Sequence, residues 1–223
     1  MKRIKLKDRI LPSYTKGEEI FNMVTHIVGG AVGIATLVLC VIKASIKGDL
    51  CGILTSILFG VSMILLYTMS SVYHGLTTNI SKKVLQVLDH CTIYLLIAGT
   101  YTPIILCSIV DLAPVAGYIT LGVVWGCAIL AIVLTAIDLK KYQVFSMICY
   151  VGMGWCIIFS IDEVYKALGV AGFWLLLGGG ILYTIGAILY GVGKKIKYFH
   201  SIFHIFILLG SVCHSLCVML FVL

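Results

Sequence analysis

LCGILTSILFGVSMILLYTMSSVYHGLTTNIS, residues 50–81, runs for 32 residues without one Asp, Glu, Lys or Arg and is bounded by Asp49 on one side and Lys82 on the other. A helix needs about 20 apolar residues to cross a hydrocarbon core roughly 30 Å thick, so this stretch holds one crossing plus a polar turn at 77–81, with the helix ending near Leu76. Six more charge-free stretches follow the same rule: 20–42, 90–110, 112–137, 142–161, 167–193 and 198–223. The chain is 61% hydrophobic and 11% charged, against about a quarter charged in soluble domains, which leaves no room for a water-soluble core. The expected fold is an all-α membrane protein, a bundle of seven transmembrane helices. A basic N-terminal segment, 1–19, precedes a single transmembrane domain, 20–223, with approximate spans 20–42, 51–75, 88–110, 113–137, 142–161, 168–191 and 198–222.

Loop charges orient the bundle. Seven spans put alternate loops on opposite sides, and one side then collects Lys2, Arg3, Lys5, Lys7, Arg9, Lys16, Lys82, Lys83, Lys140, Lys141, Lys194, Lys195 and Lys197. The other side has Lys43, Lys47 and Lys166. Basic residues in short loops stay cytoplasmic, so thirteen against three predicts a cytoplasmic N-terminus and an extracytoplasmic C-terminus. Six or eight spans would break the alternation. The net charge of +7 is accounted for by topology and by attraction to anionic lipid, and no nucleic-acid partner is expected. The expected location is the cell (plasma) membrane, crossed many times.

The first apolar stretch reads as a helix rather than a cleaved secretory signal, because it is over-long and opens a chain that stays apolar. Nine cysteines are scattered through the spans without a CxxC pair, and read as small packing residues. Gly29, Gly30 and Gly33, or Gly152 and Gly154, read as close helix contacts, and Pro103 should kink the outer part of the third helix.

Ionisable residues inside spans are costly, about 2.5–3.5 kcal/mol each on insertion scales for the charged types, and mark functional positions. Here they are His26, His74, Asp89, His90, His200, His204 and His214. His74 falls at the cytoplasmic end of helix two, Asp89 at the cytoplasmic start of helix three, and His200 and His204 in the first turns of helix seven. Three helices thus deliver polar groups to one membrane depth. His200 and His204, at i and i+4, share a face and can offer two imidazoles to one metal. A third from His74 makes a three-histidine site with an open position for water, the pattern of catalytic zinc (Zn2+). Asp89 is the natural partner of that water. Ser70, four residues before His74, lies on the same face about 6 Å deeper, where it could donate a hydrogen bond to a substrate oxygen.

The remaining polar residues have plainer readings. His214 is about 21 Å along the helix from His200 and cannot share its ion. His90 points about 100° away from Asp89 and reads as a packing residue or as a support behind the site. Glu19, Asn22 and His26 form one polar stripe at i, i+3 and i+7, either a hydrogen-bonded strut or a gate for substrate. Cys213, His214 and Cys217 only imitate a second metal site.

Taken together these residues resemble the hemolysin III family of bacterial membrane proteins, relatives of the progestin and adipoQ receptors that include the adiponectin receptors. The matching text is GEEIFNMVTH (17–26), SSVYHG (70–75), LDHCTIYLLIAGTYTP (88–103) and HSIFH (200–204) followed by His214. The resemblance implies a seven-helix fold with an intracellular N-terminus. It also implies zinc ligands at His74, His200 and His204, with the family's aspartate at Asp89 and its serine at Ser70. The receptor relatives are associated with ceramidase-like hydrolysis of lipid amides, and bacterial members carry a hemolysin label.

The expected function is zinc-dependent hydrolysis of lipid amide or ester bonds, with a membrane lipid as substrate. A pore-forming cytolysin and a lipid-homeostasis regulator with structural zinc are the alternatives. Proton or ion transport ranks below them, because a long apolar stretch separates His214 from the inner cluster.

Overall fold

The computed structural model describes residues 6–193 and 196–223; Lys2, Arg3, Lys5, Lys194 and Lys195 of the basic segments lie outside the described residues. All regular structure among the described residues is helical. After a 3-10 turn at Leu6–Asp8 come α1 (Lys16–Ile46), α2 (Leu50–Gly75), α3 (Ile80–Ile104), α4 (Pro114–Asp138), α5 (Gln143–Trp155), α6 (Ile161–Val192) and α7 (Phe199–Cys217). Six helical stretches are long and apolar enough to cross a membrane, one of them the continuous run Gln143–Val192. The chain is a multi-pass membrane protein.

Helix starts follow from local side-chain chemistry. Thr15 caps α1 in a reciprocal capping box with Glu18, Asp49 caps α2 through the Gly52 N–H, and Asn79 caps α3 through the Lys82 N–H. Pro114 opens α4, where its missing N–H costs nothing. The end of α2 at Gly75, capped by Leu76, matches the polar turn expected from sequence. Pro103 sits one residue before the end of α3, and the chain then winds into a π-helical turn, Ile105–Ile109, because proline supplies no donor to continue the ladder. Between α5 and α6 a 3-10 stretch, Cys156–Ser160, intervenes, and inside α6 Gly169 leaves helical geometry at φ 63, ψ −178. Only glycine takes that backbone without strain.

Packing closes a ring: each helix touches the next in sequence, and α7 returns to α1. The third helix lies at the centre, with 67% of its most apolar stretch buried against 17–50% elsewhere. Burial is inverted relative to a soluble protein. Asn22, His26, Ser56, Ser70, His74, Thr135, Ser201, His204 and Ser211 are all buried, while Ile27, Val28, Ile34, Leu54, Ile119 and Leu130 are exposed. Lipid solvates the apolar faces, and the polar groups turn inward between the helices.

Candidate metal centre

Three histidines from two helices meet at one end of the bundle. His74 is in the last turn of α2, and His200 and His204 are in the first turns of α7. The register of α7 is set by Tyr198, whose left-handed backbone (φ 63) starts the helix and whose N–H donates to Glu18 Oε1 at 2.7 Å. That bond ties the ligand-bearing turn of α7 to the first turn of α1. Ligand nitrogens of His74, His200 and His204 all lie within 4.8 Å of one another, and His200 Nε2 and His204 Nε2 are 2.9 Å apart. Among the described residues no other trio of histidine, cysteine or carboxylate groups is so placed.

The donor set fits a cation such as zinc. Nitrogens about 2.0–2.1 Å from a tetrahedral zinc lie roughly 3.4 Å from one another, a spacing within the 4.8 Å limit that encloses the three ligand atoms. His74 is 3% exposed and its Nε2 has no hydrogen-bond partner, a state that a buried imidazole nitrogen leaves only by meeting a donor or a metal. Two Nε2 atoms 2.9 Å apart can share one proton, whereas a cation satisfies the lone pairs of all three rings.

Glu19 holds the set in this state. Its Oε2 accepts from His74 Nδ1 at 2.6 Å, and its Oε1 accepts from Lys82 Nζ, also at 2.6 Å. With Nδ1 as donor, the Nε2 lone pair of His74 faces inward, the carboxylate–imidazole arrangement that orients metal-binding histidines. Lys82 is itself buried and donates a second bond to the Leu76 carbonyl at 2.9 Å, so one lysine links α1, the end of α2 and the start of α3. Glu19 shares with Asn22 and His26 the polar stripe expected to be a hydrogen-bonded strut or a gate for substrate. Only Glu19 forms such bonds; the side-chain polar atoms of Asn22 and His26 have no hydrogen-bond partner among the described residues. The carboxylate–lysine–histidine link spans 55 to 63 residues of chain, and the helical period of α1 alone carries no signal for it.

Ser70 and Asp89, the two remaining predicted residues, line one internal cavity of about 340 Å³ together with His26, His200 and His204. His74 stands behind that wall. Beyond the polar end the cavity is bounded by apolar side chains, including Ile93, Ile97, Phe173, Leu176 and Ile207. The ring of His26 lies over that of His204 with centroids 3.9 Å apart, an adjacency that spacing within α1 could not foretell. Tyr14 stacks on His200 at 4.9 Å and 18°, so the segment before α1 covers the histidines. Burial and neighbouring acidic groups push the Tyr14 phenol well above its usual pKa, keeping it neutral.

His90 and His214 stand apart from the trio. His90 lines the same cavity, with its Nδ1 donating to the Gln86 carbonyl at 2.8 Å and its Nε2 3.4 Å from the Tyr190 hydroxyl. His214 Nε2 donates to the Leu176 carbonyl at 3.1 Å, at the far part of the same cavity. The stretch between it and the inner cluster is less apolar than its sequence suggests, because Tyr67 and Tyr183 both reach Ser211 Oγ at 2.7 Å.

Comparison with known proteins adds to this geometry. A profile of the family described as Haemolysin-III related matches residues 14–215. The chain is 40% identical over 208 residues to the "Hemolysin-3 homolog" of Bacillus subtilis (strain 168), covering 93% of this chain and 96% of the relative. It is 39% identical over 206 residues to "Hemolysin-3" of Bacillus cereus, covering 92% of each.

Proposed function

We propose, for a chain that belongs to the haemolysin-III family, a function as an integral membrane hydrolase of lipid amide or ester bonds that uses zinc held by His74, His200 and His204. The observation that carries it is the His74 Nε2 atom, buried, unpartnered and aimed by Glu19 toward the paired imidazoles of α7. Zinc, when bound there, supplies a Lewis acid that polarises an acyl carbonyl and acidifies water. Asp89, on the wall of the adjoining cavity, accepts the proton from water as general base. Ser70 donates its hydroxyl to the acyl oxygen, and the apolar remainder of the cavity holds the hydrocarbon chain away from water. A polar end joined to a long apolar wall suits a lipid better than a polar metabolite.

The same reading includes the topology. The Gln143–Val192 stretch as one straight helix would be about 75 Å long, more than twice the hydrocarbon thickness. The 3-10 interruption at Cys156–Ser160, the charged Asp162, Glu163 and Lys166 that follow it and the break at Gly169 support two crossings, 142–161 and 168–191, and so seven in all. Lys82, Lys83, Lys140, Lys141 and Lys197 then share the cytoplasmic side with the N-terminus, and the metal centre lies in the inner leaflet of the plasma membrane.

The test is zinc content and lipid turnover of the purified protein and of His204→Ala. Loss of both is expected. Undiminished turnover of amide and ester lipids by the zinc-free variant would remove the hydrolase reading. A cytolytic role, which the name of the Bacillus cereus relative suggests, instead requires liposome leakage that survives loss of the histidines.

A further inference from the structure

At the opposite end of the bundle from the histidines, α2 begins and α3 winds out through its π-helical turn. Cys51, the second residue of α2, and Cys107, in the middle of the π turn, face each other there with their sulfurs 3.8 Å apart. Cys51 is exposed and Cys107 half-buried behind it. The sulfur of Cys107 also lies 3.4 Å from Thr55 Oγ1, whose own hydroxyl hydrogen is engaged by the Cys51 carbonyl at 2.8 Å. The Cys107 thiol is directed at the Cys51 sulfur, and Thr55, one helical turn along α2, packs its hydroxyl against the Cys107 sulfur and keeps it in register beside Cys51.

We propose that Cys51 and Cys107 are a redox-active dithiol that closes into a disulfide joining α2 to the π turn after α3. The sequence offered no sign of this, since 56 residues separate the two and neither lies in a CxxC motif. A disulfide needs sulfurs about 2.05 Å apart, so closure requires the two side chains to approach from 3.8 Å by rotamer adjustment. A π turn is a local widening of the helix, often found at functional sites, and this one stands directly beyond Tyr101 and Ile104 of the cavity wall. Oxidation would hold that outer end of the cavity.

The oxidant is a protein or small-molecule disulfide. The Cys51 thiol, as the exposed partner, gives its proton to solvent and attacks one oxidant sulfur, breaking the oxidant S–S bond and releasing one thiol. Cys107 then attacks the Cys51 sulfur, forming the Cys51–Cys107 bond and releasing the second oxidant thiol. Two electrons pass to the oxidant and two protons leave the cysteine thiols, balancing the two thiols formed. Exchange of this kind belongs to oxidising compartments, and the pair's outward position rests on the topology in the preceding section.

The experiment treats full-length protein in detergent with oxidised glutathione, alkylates remaining thiols under denaturing conditions, and maps the digest by mass spectrometry. A cross-linked peptide pair containing Cys51 and Cys107 is expected, with both losing alkylation together. Cys51→Ser should restore full alkylation of Cys107, and Cys107→Ser should restore that of Cys51. Full alkylation of both cysteines in the oxidised wild type overturns the proposal, as does a predominant cross-link of either to another cysteine. A parallel labelling of intact cells with a membrane-impermeant maleimide reads the topology separately. Labelling of Cys51 from outside supports the outward position. Labelling only after lysis overturns that position and the oxidising-compartment setting, while the digest still decides the pairing.

Discussion

Glu19 shows what a single side chain contributes at the metal centre. Its carboxylate accepts from His74 on one oxygen and from Lys82 on the other, both at 2.6 Å, so the imidazole tautomer and the ring orientation are set together. Replacing such a partner typically lowers metal affinity by roughly 10–100-fold. Glu19→Gln is accordingly expected to weaken zinc binding by about that factor while leaving the helices intact, as measured by competition with a chromophoric chelator. Unchanged affinity would separate Glu19 from the ligand set. The nearness of Ser70 and Asp89 to the histidine end of the bundle is legible in sequence, because each is placed by one helical period relative to a histidine or by a helix start. Glu19 stands out in sequence only as part of a polar stripe, and its bonds to His74 and Lys82 are not legible there, since those partners come from two other helices.

The Gly178–Gly180 run in α6 separates close approach from mere permissiveness. A Cβ on Gly179 would collide with the ring of His214 and come within 3.1 Å of the Gly210 carbonyl, whereas a Cβ on Gly178 meets nothing within 4 Å. Gly179→Ala is expected to cost about 1–3 kcal/mol by forcing α6 and α7 apart. Gly178→Ala should be neutral or slightly stabilising, since alanine is the better helix former. Thermal unfolding of the two variants in the same detergent checks the contrast, and equal melting temperatures would refute it. In sequence the three glycines look alike. The distinction depends on which of them faces α7, and that rotation is set by packing rather than by propensity.

Membrane topology links these local features to a working molecule. With 142–161 and 168–191 as separate spans, a fluorescent protein fused before residue 1 should be active in the cytoplasm. Alkaline phosphatase fused after Leu223 should be active only if exported. A cytoplasmic C-terminal reporter would instead favour six crossings, and the charge asymmetry would then lack a cause. The count of charge-free stretches, the thirteen-to-three distribution of basic residues and the i, i+4 pair His200 and His204 all come from the chain alone, because hydrophobic length and helical period act within a single segment. Tertiary structure alone decided that Glu19 meets His74, that His26 overlies His204, and that Cys51 faces Cys107. Those contacts join helices far apart in sequence. They depend on how close two helices come and how each is rotated, as where Gly60 of α2 lets Leu37 of α1 approach to 2.5 Å of a would-be Cβ, and no periodicity within either helix encodes that approach.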